Sequence, residues 1–191
     1  MKNFDDSLIA EPFRKQSEEV FFATASIVRV GKAQISSLKE SARTNARHRV
    51  RLCTHPGTTD RLHEMMIIHC KDTYVRPHKH ANKSESFHVI EGFVDVVLFD
   101  DAGEILKVIS MGDYPSGKMF YCRLSEPFYH TLMIRSQMLI FHEITNGPFK
   151  REETLFAPWA PQENETSRIM GFLDQLNCRI EQFSLSQARD N

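Results

Sequence analysis

Residues 76–92 read RPHKHANKSESFHVIEG, and the reading of this stretch decides the rest. It holds the histidines His78, His80 and His88 and the acids Glu85 and Glu91, close to valine, phenylalanine and isoleucine. In a strand, residues two apart point to the same side, so His78 and His80 project into one interior, with Tyr74 and Arg76 on the same parity. A second strand begins near Glu85 and carries Phe87 and Val89 on the same face. From its first position a carboxylate can swing back toward the two imidazoles. Two neutral imidazoles and a carboxylate suit a divalent transition metal. A bare glutamate buried beside two histidines without an ion is costly unless the groups pair tightly. The spacing is His78-x-His80, then Glu85, then Gly92, where the glycine permits the turn into VDVVLFD. The competing reading of the spacing is a polar hairpin mouth with solvated histidines.

The surrounding chain is β-rich. From residue 50 to 146 short runs follow one another: RVRLCT, LHEMMIIHC, TYVRPHKH, SFHVIEG, VDVVLFD, EILKVIS, KMFYCRL, FYHTLMIR and MLIFHEIT. Turn residues break them at 55–60, 100–103, 112–117 and 146–148, and DDAG at 100–103 is a hairpin signal. Many short strands at this spacing point to an all-β core, a sandwich or a small antiparallel barrel, and not to alternating βα units. Four segments are expected: a loose N-terminal arm over 1–24, a strand and helix over 25–49, the β-barrel over 50–156, and a connector with a C-terminal helix over 157–191. In the second segment ASIVRV (25–30) reads as a strand. Ile35, Leu38, Ala42 and Ala46 give a helix over about 32–46. In the last, APWAP (157–161) is extended. Ile169, Phe172, Leu173, Leu176, Ile180 and Phe183 then form one apolar face of a helix over about 166–183.

The 191 residues fit one domain with extensions. Hydrophobic residues make up 41% and charged residues 26%, and the formal net charge is −1. That balance gives no bias toward nucleic acid or membranes. The one basic cluster, Arg43, Arg47, His48, Arg49 and Arg51, reads as a solvated surface. No apolar run approaches the roughly 18 residues that span a bilayer. The N-terminus has acids and a proline where a signal peptide has an apolar stretch, so a cytoplasmic protein is expected. Cys53, Cys70, Cys122 and Cys178 are far apart and read as free thiols. Met65, Met66, Met119, Met133 and Met138 read as core filling.

PHKHANKSESFHVIEG resembles the first motif of the cupin superfamily: His-x-His, then Glu, then Gly. The resemblance implies a double-stranded β-helix with a metal at its centre. It also implies a fourth ligand, a histidine from a second motif on a later strand, and the matching position is His130 in EPFYHTLMIR. The second motif departs from the usual pattern. Pro127 stands only three residues before His130, no glycine precedes it, and Ile134 takes the place of an asparagine. His142 and His69 are the alternatives. From RHRVRLCTHP to LFAPWAP, about residues 45–162, the chain is similar to the WbuC-type cupin-fold metalloproteins. Members are often encoded among O-antigen and other surface-polysaccharide genes.

The resemblance therefore implies a metal-binding cupin acting on a small polar molecule, sugar-nucleotide or related, in polysaccharide biosynthesis. The most specific form is a metal-dependent isomerase or epimerase. The alternatives are a non-catalytic metal-dependent binding or accessory protein, and a metal that merely pins the barrel. The expected cofactor is one divalent transition metal, iron, manganese, zinc or nickel, held by His78, His80, Glu85 and His130. The expected partners are an anionic or sugar-derived small molecule and a second copy in a homodimer. Arg76, Tyr74, Tyr121 and Glu143 are the candidates for binding substrate, with Glu143 or Tyr121 as acid or base. Glu143 shares a face with Phe141, and an acid among apolar neighbours suits a role beside a ligand. His88 and Tyr129 have the opposite parity and are expected to face out.

Overall fold

The computed structural model describes residues 12–71 and 73–189. In chain order its strands are β1 (Phe13–Lys15), β2 (Val20–Ala23), β3 (Arg49–Cys53), β4 (Leu62–Cys70), β5 (His78–His80) and β6 (Glu85–Glu91). They continue with β7 (Phe93–Phe99), β8 (Ile105–Gly112), β9 (Tyr121–Leu124), β10 (Tyr129–Ile134), β11 (Met138–Asn146) and β12 (Thr154–Phe156). Helix α1 is Lys32–Thr44 and helix α2 is Thr166–Arg189.

The strands form two sheets. One has the order β1-β2-β3-β4-β11-β6-β9 and the other β12-β5-β10-β7-β8. From β4 to β12 the chain changes sheet at every connection except the β7–β8 hairpin. Chain crossing of this kind makes a double-stranded β-helix, the cupin-type architecture expected. The two sheets stay separate and face each other as a sandwich, so the barrel is not closed. Pairing is antiparallel except between β2 and β3.

Alternation along the strands builds three apolar layers. Between the sheets lie Met65, Ile67, Phe87, Val89 and Phe141 from one side and Val94, Val96, Leu98 and Leu132 from the other. The outward residues of β3, β4 and β11, Val50, Leu52, Ile68 and Ile140, meet Leu38 and Ala42 of α1. The outward residues of β7 and β10, Val97, Phe99 and Tyr129, meet Leu176 and Ile180 of α2. Each such side chain removed from water contributes about 2 kcal/mol. Helix α1 starts where Gln34 accepts a hydrogen bond from the Gly31 N–H at 3.0 Å. It stops where the Asn45 side chain donates to Ser41 and Arg49 carbonyls, tying the helix end to β3.

Several expectations are corrected here. Residues 13–23 of the expected loose arm form the β1–β2 hairpin, with Phe13, Phe21 and Phe22 buried; residues 1–11 of that arm lie outside the described residues. Residues 25–30 form no strand, and the chain bends there before α1. In TYVRPHKH only His78–His80 is strand, because Pro77 has no N–H to give to a ladder. Helix α2 runs six residues past its expected end. Met119 is 68% exposed and fills no core. No described helix is long and apolar enough to cross a membrane.

Candidate metal centre

Sheet register brings the histidines together. His130 of β10 lies directly across from His78 of β5, and β6 on the facing sheet carries Glu85. One ring nitrogen from each of His78, His80 and His130 lies within 4.8 Å of the others. Donors about 2.1 Å from a shared ion lie at most about 4.2 Å apart, so small side-chain adjustments suffice to close the set. Glu85 completes it. Its carboxylate oxygens lie 3.1 Å from His130 Nε2 and 3.6 Å from His80 Nε2.

Hydrogen bonds fix which nitrogen of His78 and of His130 faces the centre. His78 Nδ1 lies 2.8 Å from the Arg76 carbonyl and His130 Nδ1 lies 3.1 Å from the Phe128 carbonyl. A carbonyl only accepts, so each Nδ1 carries the proton and each Nε2 is bare. His80 Nδ1 is held at 3.2 Å by the Thr154 hydroxyl of β12. Such outer bonds orient imidazoles that ligate metals. Burial pushes the pKa of His78 and His80 down to about 3 and that of His130 to about 4, so all three are neutral at physiological pH. Burial also holds the Glu85 carboxyl above its ordinary range.

A bare Nε2 and a carboxylate oxygen 3.1 Å apart are two acceptors facing each other. Either a proton or a cation must sit between them. The donor set of three neutral imidazoles and one carboxylate suits a divalent transition metal.

These groups open into a cavity of about 580 Å³ between the sheets. Ile67, Phe87, Leu132 and Phe141 supply apolar wall. Glu143 lines it as well, its carboxyl raised by burial and then by the nearby Glu85. Arg76 also lines it, with its guanidinium 4.8 Å from the centre of the Phe156 ring.

Other candidates stand elsewhere. Tyr74 donates its hydroxyl to the Pro161 carbonyl at 2.9 Å and packs edge-on to Phe172 of α2, away from the cavity lining. The parity linking Tyr74 to His78 fails because residues 73–77 are not a strand. Tyr121 is 52% exposed on β9, across from the exposed His88 on the outer face. His142 is on that outer face too, 3.8 Å from Glu64. His69 does line the cavity, but it is not part of the histidine triad. Tyr129 faces outward from the site, as its parity predicts, and is buried there beneath Trp159.

Two groups of site residues escape the sequence reading. Arg47, Arg49 and Arg51, read as solvated surface, line the cavity. The signal was the alternation Arg49-Val50-Arg51-Leu52, which sends Val50 and Leu52 to α1 and both arginines inward. The segment 149–156 falls in the expected barrel but carries no expected strand, yet Phe149, Arg151, Thr154 and Phe156 all reach the site because β12 pairs with β5.

Residues 30–111 match a family model described as a domain of unknown function, DUF6016. No curated protein matches the sequence. Solved structures are similar over part of the chain. Oxalate decarboxylase from Bacillus subtilis aligns at 16% identity over 51% of this chain and 24% of its own, with a TM-score of 0.42. CapF, crystallised with the inhibitor 3-isopropenyl-tropolone, aligns at 16% identity over 56% of this chain and 30% of its own, with a TM-score of 0.44. Procruciferin, an 11S globulin from Brassica napus, aligns at 16% identity over 46% and 21%, with a TM-score of 0.39. The match thus spans less than a third of each of these chains.

Proposed function

We propose that the protein binds one divalent transition metal through His78, His80, Glu85 and His130 and uses it to act on a small polar molecule in the cavity. The observation that carries this reading is the convergence of three neutral imidazoles, two of them within 3.6 Å of the Glu85 carboxylate, on the lining of an open cavity. A metal that only pins the fold needs no such space beside it.

A bound divalent ion supplies a Lewis acid that polarises a coordinated carbonyl or hydroxyl. The chain's own residues do the rest. Glu143, its carboxyl raised, is placed to give or take a proton at the substrate. Phe87 and Phe141 keep water from that side of the centre. Arginines at the cavity wall hold an anionic part of the ligand. This combination supports proton transfer beside a carbonyl, the chemistry of an isomerase or epimerase. The resemblance to WbuC-type proteins supplies the physiological setting of the proposal, a sugar-derived substrate in surface-polysaccharide synthesis.

Elemental analysis of untagged protein purified without chelators tests the reading. The expected result is about one equivalent of iron, manganese, zinc or nickel, lost in both His78→Ala and Glu85→Ala. Wild-type protein that takes up no metal even on reconstitution overturns it. Solvent deuterium wash-in on a panel of sugar nucleotides then tests the reaction, with Glu143→Gln expected to abolish exchange while retaining metal.

A further inference from the structure

Five arginines line the cavity, against the three acids Glu85, Glu143 and Glu163. Two of the five are already neutralised. Arg47 pairs with Glu163 at 2.7 Å and Glu19 at 3.4 Å, and Arg49 pairs with Glu19 at 3.1 Å and Glu163 at 3.2 Å. The other three form no ion pair among the described residues, although Arg51 lies close enough to Glu143, and Arg76 to Glu165, to favour the charged carboxylates. Among the described residues, the Arg51 and Arg151 side chains make no hydrogen bond and no ion pair. Arg76 gives one long bond, 3.3 Å, to the Ala157 carbonyl, and its Nε is buried without a partner. Phe156 lies 4.8 Å from the Arg76 guanidinium and helps fix its position.

Unpaired guanidinium groups gathered on one cavity raise its potential until an anion enters. Each offers a planar fork of N–H donors that matches the oxygens of a phosphate. They come from three separate places, β3, the segment before β5 and the turn before β12, and all line the same cavity. A concave site of about 580 Å³ admits a small molecule and excludes a nucleic-acid duplex.

We propose that Arg51, Arg76 and Arg151 clamp a phosphate group, so that the substrate is a small phosphate-bearing molecule whose other oxygens face the histidines. The clamp stands on its own observations; the orientation of the ligand rests on the metal reading above. Glu163 and Glu19 hold Arg47 and Arg49 out of the clamp.

Calorimetric titration of inorganic phosphate and phenyl phosphate into metal-free and zinc-loaded protein tests this, with malonate as the dicarboxylate comparison. Phosphate is expected to bind both forms and to bind more tightly than malonate. Arg51→Gln and Arg151→Gln, both on exposed side chains and so expected to fold normally, should each weaken it about ten-fold. Arg47→Gln, already paired, should weaken it about three-fold or less. Glu163→Gln should tighten it, because it releases Arg47 and Arg49. Equal losses for Arg47→Gln and Arg51→Gln, malonate binding as tight as phosphate, or no phosphate binding would each overturn the clamp. Zinc uptake without phosphate binding overturns the clamp alone. Phosphate binding to a protein that takes up no metal overturns the metal reading alone.

Discussion

Glu85 and His130 stand 3.1 Å apart with the imidazole nitrogen bare, and this one contact sets the protonation of the centre. Burial holds Glu85 above the ordinary carboxylate range, so without an ion the carboxyl keeps its proton and donates it to His130 Nε2. The histidines have the opposite shift, down to about 3 or 4, and are neutral well below pH 6. Metal must therefore displace the Glu85 proton and none from the imidazoles. Calorimetry at pH 6 in buffers of different ionisation enthalpy should show release of about one proton per metal. Affinity should rise with pH as Glu85 passes through its raised pKa in the metal-free protein. Release of two or more protons at pH 6 in Glu143→Gln, which removes the other raised carboxyl, would show that the histidines hold protons there. Much of this centre was legible in residues alone, since His78 and His80 follow the two-residue period of one strand and Glu85 opens the next on the face of Phe87 and Val89. His130 needed the family resemblance, because nothing local marks one histidine in FYHTLMIR over His142 in MLIFHEIT. The arginines were hidden because a basic run on a solvated surface and one along a cavity wall have the same composition.

At the scale of elements, the strands with clear alternation were readable and the short irregular ones were not. LHEMMIIHC matches β4 residue for residue, and DDAG forms the β7–β8 turn, where Gly103 N–H bonds to the Asp100 carbonyl. β12 has three residues and no pattern of its own; it exists because β5 offers an edge. ASIVRV has strand composition but no partner strand, so it stays irregular. Gly92 was assigned to the turn after β6, and it has a φ of 94° there. A Cβ at that position would press into the Met138 carbonyl and the Ser136 hydroxyl. Ser136 in turn accepts from the Phe93 N–H at 2.9 Å, so the turn is locked to the strand that follows. Gly92→Ala should therefore cost about 2 kcal/mol or more in chemical denaturation. A loss below about 0.5 kcal/mol would mean that the turn relaxes freely and does not fix the β6–β7 register.

For the whole molecule, two sheets covered outside by α1 and α2 leave the space between them as the place where polar groups can gather. The histidines and Glu85 occupy one region of that space and the apolar core fills the rest. An ion held by both sheets, through β5 and β10 on one side and β6 on the other, would tie the sandwich together. Metal should accordingly raise the unfolding free energy by about 4 kcal/mol at a thousand-fold excess over Kd, read as a higher Tm that chelator reverses. The most direct test of the central claim is X-ray absorption at the edge of the metal found in the purified protein. Three imidazole nitrogens and a carboxylate oxygen at about 2.1 Å, with one imidazole lost in His130→Ala, is the predicted result. A shell of water oxygens with no imidazole scattering, unchanged in His130→Ala, would contradict it.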